Sequence, residues 1–436
     1  CRWRARRCHR HGRASAGEHA QLRQRPAHQC ADPKDRPLDS ARSAGCGKWL
    51  STRLARWTKL VVTDSAKASA GVFQDLTVID VSGSVATSYA SKLFADYGAL
   101  VINVEPPEGF DTRGLKPLLP NGDSAMHGYL HTNKHSVLAS CTQFHEEPLA
   151  SKADLVIFDP DALPNADYLQ NIGTNTCAVS WYGLTGRYSS YKGSDATVHA
   201  LTGLMRGIGT VAGPPVIPPG YQAQMIGGLS AFNGALGHLL AQRLGNLTAP
   251  FHLDASIMEA NMCFTDLGPI NAYNENPLPP RMGINRFPPT YPLGIWPCKD
   301  GWLGVTNLTP GQWQAFCQLL GMEHYAEIEL FQSSVSRLES SDILEPEILQ
   351  ALAQHSAEDL FYRGQAMRIP LARVPTMEEL FKVDQYVTRN AFSQVQSGGE
   401  AFAAPSTPFR LFTTPPHFGG PVAALGAQSQ QWGSRP

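Results

Sequence analysis

From residue 76 onward the apolar positions alternate between two textures, short unbroken β-branched runs and longer stretches at helical spacing. Leu76-Thr-Val-Ile-Asp-Val81 is a continuous run that stops at Ser82-Gly83-Ser84, the pattern of a strand buried on both faces. Ser88 to Tyr97 carries Tyr89, Ala90, Leu93, Phe94 and Tyr97 at helical intervals, with Gly98 as the stop. Ala99-Leu-Val-Ile-Asn-Val-Glu105 is a second run, closed by Pro106-Pro107. Strand, helix and strand in about 30 residues predict a right-handed crossover and a parallel sheet. Further strands are expected at 153–158 and 177–181, and helices at Ala196–Met205 and Leu229–Leu244.

Downstream the texture changes. Residues 271–290 are rich in Pro, Asn and Gly and read as a linker. Tyr291–Thr306 contains Pro297-Cys-Lys-Asp-Gly301, which reads as a turn before a strand, and helices follow at Gly311–Leu320, Ile343–Gln354 and Ala357–Gln365.

Composition changes the picture mainly at the front of the chain. With 42% hydrophobic and 17% charged residues, the 436-residue chain is an ordinary globular sequence, and it has no apolar run long enough to span a membrane. Its net charge of −1 argues against nucleic-acid binding but hides an asymmetry. Residues 1–70 hold 16 of the 36 Lys+Arg and 5 of the 37 Asp+Glu, leaving 20 basic against 32 acidic residues in the remainder. The basic segment shows no apolar period. It reads as a disordered extension, with a transit peptide or a metal site at Cys8-His9 and His11 as alternatives. The nine cysteines are widely spaced, which favours a reducing, cytoplasmic setting over a disulfide framework or a zinc site.

Candidate chemistry is sparse. The turn Ser82-Gly-Ser-Val-Ala-Thr87 lacks both phosphate-binding glycine spacings, although a helix start with small residues suits a phosphate or pantetheine. Arg113, in Asp111-Thr-Arg-Gly114, is a surface-turn residue or a phosphate contact. Lys134, in Asn133-Lys-His-Ser136, reads as a solvated loop residue, Asp195 as a helix cap or first-turn acid, and His199 and His238 as core or interface histidines. Serine-hydrolase and zinc-hydrolase motifs are missing. The segment Pro219-Gly-Tyr-Gln-Ala-Gln-Met-Ile-Gly-Gly228 reads as a turn running into an apolar helix, with no acid, base or thiol.

Taken in order, several segments are similar to one family. They include Leu76-Thr-Val-Ile-Asp80, Leu93-Phe-Ala-Asp-Tyr-Gly-Ala-Leu-Val-Ile-Asn-Val-Glu-Pro-Pro107, Tyr182-Gly-Leu-Thr-Gly-Arg-Tyr188, Gly193-Ser-Asp195 through Met205, Asp254-Ala-Ser-Ile-Met-Glu-Ala260 and Thr407-Pro-Phe-Arg-Leu411. From about Phe73 to Pro416 the chain resembles the family III CoA transferases, the CaiB–BaiF group. The resemblance implies an α/β fold: a Rossmann-like large domain formed by both chain ends, a smaller inserted α+β domain, and an interlocked dimer. Domain bounds follow as 71–270 for the first part of the large domain, 271–290 for the linker, 291–370 for the small domain, 371–416 for the return segment and 417–436 for a tail.

The resemblance also implies transfer of CoA between an acyl-CoA and a carboxylic acid through an Asp-bound anhydride, with CoA as substrate and no covalently bound cofactor. Counting from Gly213-Pro214-Pro215, the family's Asp position falls on Gln224, whose amide forms no such anhydride. Its CoA-contacting positions fall on Val85, Ala86, Pro106, Asp159 and Lys192. Pro106 stands where the family has a basic residue and Asp159 where it has Asn; Asn165 replaces an Arg and Ser140 an acid. The expected role is a non-nucleophilic subunit beside an Asp-bearing paralogue. Alternatives are acyl-CoA racemase- or isomerase-like chemistry, or a non-catalytic interaction role; the partner is a second copy or the Asp-bearing paralogue, and neither nucleic acid nor membrane is expected.

Overall fold

A computed structural model describes residues 71–139, 144, 149–163, 167–171, 173–264, 273, 281–417 and 419–430. The basic segment with its Cys–His cluster, Ser140, Asn165 and nine of the twenty linker residues lie outside the described residues.

Six strands form a parallel sheet: β1 (Thr77–Asp80), β2 (Leu100–Glu105), β3 (Lys134–Leu138), β4 (Leu155–Phe158), β5 (Thr176–Ser180) and β6 (His252–Ser256). Their order is β3-β2-β1-β4-β5-β6. Alternate residues serve opposite faces. Val78, Val101, Leu155, Ile157 and Cys177 enter one core, while Ile79, Ile102, Val156 and Ala178 enter the other. Both faces are covered, so these strands read as unbroken apolar runs. β3 and β6 escaped the sequence reading because they are polar edge strands, reading Lys-His-Ser-Val-Leu and His-Leu-Asp-Ala-Ser.

Two helices on the first core set the site. Helix α1 (Val85–Asp96) is capped by Ser84, whose Oγ accepts from the Thr87 amide, so it begins three residues before the expected Ser88. Upstream, Gly83 sits at φ +61° with the Phe110 ring where a Cβ would project. Further short helices follow: α2 (Ala125–His131) and α3 (Asp195–Leu201). Helix α4 runs from Gln222 to Arg243, seven residues earlier than the expected start at Leu229. Its glycines were read as the turn, but Gly227 and Gly228 lie inside the helix. A Cβ on Gly228 would fall 2.4 Å from the Ala86 carbonyl oxygen, and one on Gly227 would fall 2.7 Å from Ile257 Cγ1, at the start of α5 (Ile257–Met262). Close packing keeps these glycines, at a helix-propensity cost of about 1 kcal/mol each relative to Ala. One turn on, Phe232 packs edge-on against Phe94, ring centroids 4.7 Å apart.

The antiparallel strands β7 (Leu293–Pro297), β8 (Trp302–Thr306) and β9 (Leu371–Val374) pack with α6 (Pro310–Leu320), α7 (Ser341–Leu352) and α8 (Ala357–Ala366) around Trp296, Trp313, Phe316, Leu344 and Leu360. This is the smaller α+β unit. The chain then returns to the large sheet. A hairpin of β10 (Phe392–Ser397) and β11 (Glu400–Pro405), joined by β12 (Gly420–Pro421), presses the Phe402 ring to 2.9 Å from where a Cβ on Gly128 of α2 would lie. Tyr97 Oη donates to the Phe409 carbonyl at 2.6 Å, and Gln428 and Ser136 exchange hydrogen bonds along the β3 edge.

Beneath that edge lies a polar interior that corrects one sequence reading. Lys134 is buried, not solvated: its Nζ donates to the Ser88 carbonyl at 2.9 Å and to Ser91 Oγ at 2.8 Å, and burial lowers its pKa to about 7. Arg113 is paired within the fold. Its guanidinium forks onto buried Glu105 with two 2.7 Å bonds, and that carboxylate, further bonded to Ser136 and the Phe110 amide, is held below its usual range despite desolvation. Asn103 Nδ2 donates to His131 Nδ1 at 2.9 Å. His131 Nε2 therefore carries the proton and donates to Thr112, whose hydroxyl donates to His127 Nδ1 at 3.0 Å. The two imidazoles stack 4.2 Å apart.

Two stability predictions follow from this packing. Gly228→Val has no space at the Ala86 carbonyl and should cost about 1–3 kcal/mol in urea unfolding, through overpacking. Burial lowers His131 well below its ordinary value and His127 to about 3. The unfolded chain binds these protons near pH 6.5 and the folded chain does not, so stability is lost as pH falls from about 6.5 toward 3, at about 1.4 kcal/mol per pH unit per imidazole. His127→Gln accepts the Thr112 bond without titrating, and its urea midpoint should fall less steeply with acid than that of the wild type.

Candidate functional site

The carboxyl edge of the sheet collects the residues singled out by sequence. Val85 and Ala86 open α1 after β1, Pro106 follows β2 and Asp159 follows β4, so three neighbouring strands bring four of them to one edge. The strand order reverses between β1 and β4, where doubly wound sheets leave a crevice. The side chains of Val85 and Ala86 are buried, which leaves the backbone of the helix start as their contact surface. Pro106 is half-buried and carries no charge. Asp159 accepts from the Asp161 amide at 2.9 Å, and desolvation raises its pKa. Lys192 reaches Asp161 at 2.6 Å, but both side chains are largely exposed, so the pair contributes little to stability.

Gln224 joins this edge through α4, one turn before Gly228 meets Ala86. It lies in the first turn of the helix and not in the loop before it, and only 9% of its surface is exposed. Asp195 is an acid in the first turn of α3, as expected. The fold brings it to Gln224: Oδ1 accepts from the Gln224 backbone amide at 3.1 Å, and Oδ2 accepts from Nε2 at 2.8 Å. The cap of α3 is Ser194, whose Oγ accepts from Thr197, so Asp195 is released to cap α4 from outside. Tyr221, at the N-cap of α4, makes no side-chain cap bond, and a carboxylate at a helix start is favoured there by the exposed N–H groups. From sequence, the one signal for this contact was an acid two residues after Gly193 with no other assigned partner.

Asn261 Nδ2 donates to the Ala223 carbonyl at 3.0 Å and fixes the same turn from α5. His199, one turn after Asp195, is buried as expected, and neither ring nitrogen has a hydrogen-bond partner among the described residues. His238 is not a core histidine in this chain: it is exposed, and its Nδ1–H donates to the Gly234 carbonyl, which leaves the interface alternative open. The edge therefore offers helix-start amides, a carboxylate bound to a carboxamide, and two further acids. Among the described residues it offers no thiol and no preformed nucleophile–base pair.

Six parallel strands in this order, with both faces covered, define a doubly wound α/β protein, a fold whose ligands commonly bind at this edge. The chain belongs to CoA-transferase family III, whose model matches residues 73–156 and 176–429. It is similar to succinate–glutarate CoA-transferase of Agrobacterium fabrum, 26% identical over 82% of this chain and 93% of that protein. It is also similar to the alpha subunit of succinyl-CoA–L-malate CoA-transferase of Chloroflexus aurantiacus, 26% identical over 80% and 84% respectively. A crystal structure of a CaiB/BaiF family protein from Brucella suis superposes with a TM-score of 0.73 at 21% identity, covering 83% of this chain and 98% of that one. No helix among the described residues is long and apolar enough to cross a membrane.

Asp195→Ala removes the acceptor of two bonds and leaves the Gln224 amide and side chain unpaired. It should lower stability by about 1–3 kcal/mol in urea unfolding, with the loss centred on the first turn of α4 in hydrogen exchange.

Proposed function

We propose that this chain serves CoA transfer between an acyl-CoA and a carboxylic acid as the non-nucleophilic subunit of a heteromeric, interlocked enzyme. One observation carries the reading. The position expected to hold the attacking carboxylate is an amide, and the adjacent acid, Asp195, is engaged in holding that amide. Anhydride formation needs a carboxylate oxygen to attack the thioester carbonyl, with the C–S bond breaking and CoA leaving as thiolate. Gln224 supplies no such oxygen, so an Asp-bearing chain provides it. The likeness to a protein named as an alpha subunit supports a heteromeric arrangement. Val85, Ala86, Pro106, Asp159 and Lys192 form the CoA-facing surface in this reading. Asp159, and a lysine already paired with Asp161, make its hold on CoA phosphates weak, and CoA affinity is supplied mainly by backbone amides and by the partner.

A second reading is favoured by the 2.8 Å contact between Asp195 and Gln224: Asp195 itself attacks the thioester, shifted by one side chain from the expected position. The two are separated by one set of assays. Purified alone, the chain should transfer CoA from succinyl-CoA to a panel of dicarboxylic acids no faster than background. Gln224→Asp should raise transfer at least a hundredfold, and hydroxylamine should trap acyl groups only on that variant or on an Asp-bearing chain that co-purifies. Wild-type transfer by the chain alone that disappears in Asp195→Asn would establish the second reading and sink the first.

A further inference from the structure

The segment leading into α4 reads Gly213-Pro-Pro-Val-Ile-Pro-Pro-Gly-Tyr221. Prolines at 214, 215, 218 and 219 fix φ and stiffen the chain, so a constraint imposed at Gly213 is carried toward the first turn of α4. The side chains around it provide little anchoring: Val211, Val216 and Ile217 are 67%, 50% and 54% exposed. The anchor is polar. Arg281 Nη1 donates to the Gly213 carbonyl at 2.6 Å and to the Thr210 carbonyl at 3.1 Å, and its Nε donates to the Arg206 carbonyl at 3.3 Å. The loop is wound to permit this. Gly209 sits at φ +119°, where a Cβ would lie 3.0 Å from the Pro214 carbonyl oxygen and 3.5 Å from Arg281 Nη1, and the Val216 amide closes back on the Ile208 carbonyl.

We infer that Arg281 is a positioning residue: by gathering the carbonyls of residues 206, 210 and 213 it fixes the proline segment and hence the turn in which Gln224 meets Asp195. A guanidinium suits this task because it offers several donors in one rigid plane, all directed at neutral oxygens. Three carbonyl bonds to a cation are each stronger than bonds between neutral groups, and they converge on a loop with few alternative contacts. Arg281 lies at the entry to the smaller α+β unit, so the same contact couples that unit to the α4 end of the site. The inference rests on reading the Gln224 turn as the site of CoA chemistry.

Hydrogen–deuterium exchange of the whole chain, without CoA, tests it. Arg281→Ala should speed exchange at least tenfold at the amides of Gly213 and Val216 and also at Gln224 and Met225, with β1 to β6 unchanged. Arg281→Lys should restore part of the protection, and millimolar guanidinium, far below denaturing levels, should restore part of it to Arg281→Ala. Faster exchange confined to residues 206–216, with Gln224 and Met225 unaffected, would overturn the proposal, because the proline segment would not be carrying the constraint. Faster exchange spread evenly through the sheet, without rescue, would mark a general packing role and also overturn it. In a parallel titration with CoA, affinity should fall at least fivefold in Arg281→Ala. If the wild-type chain binds no CoA while the exchange response stands, positioning survives and the transfer reading fails.

Discussion

The meeting of Gly228 with the Ala86 carbonyl is the constraint on which the rest of the site depends. Two helices cross there with no side chain between them, and the aromatic pair Phe94–Phe232 locks the crossing one turn on. Because α1 starts at the end of β1, this fixes the start of α4 to the carboxyl edge of the sheet. Gly227 repeats the approach against Ile257, so α4 is gripped from both sides near its first turn. A helix held this tightly presents its first-turn groups at set positions, which is what a site built from helix-start amides requires.

On that frame the first turn of α4 carries an amide, Gln224, and the acid that meets it, Asp195, comes from α3. The Asp195–Gln224 pair satisfies the open amide of Gln224 and the Gln224 side chain together, and a buried carboxamide without partners would cost about 1–3 kcal/mol. The pair is stable as a structural element. A carboxylate committed to two donors is a weaker nucleophile than one left free, so the arrangement favours the architecture of the site over attack by this chain.

A second polar system supports the sheet away from the site. Glu105 is bonded to Arg113 and Ser136, and Thr112 to His127 and His131 with Lys134 beside them, two buried sets near the β3 edge that the C-terminal residues through Gln428 close over. Burial keeps the histidines neutral and lowers the lysine, which limits the charge held in a low-dielectric interior. The apolar cores alone do not define this edge; the return of the chain's last segment completes it.

Sequence determined the elements whose signal is local. Unbroken β-branched runs buried on both faces gave β1, β2, β4 and β5, helical spacing gave α1 and the body of α4, and the ordered motifs gave the family. Polar edge strands gave no such signal, because β3 and β6 owe their state to hydrogen bonds with neighbours and not to their own pattern. The start of α4 was misplaced because two adjacent glycines look like a turn until the helix packed against them is seen. Lys134 looked solvated and Arg113 free because burial and partnering are set by segments far away in sequence. Only the tertiary structure decided that Asp195 meets Gln224 across 29 residues and that Arg281 reaches Gly213 across 68, since both contacts depend on where separate elements end in space.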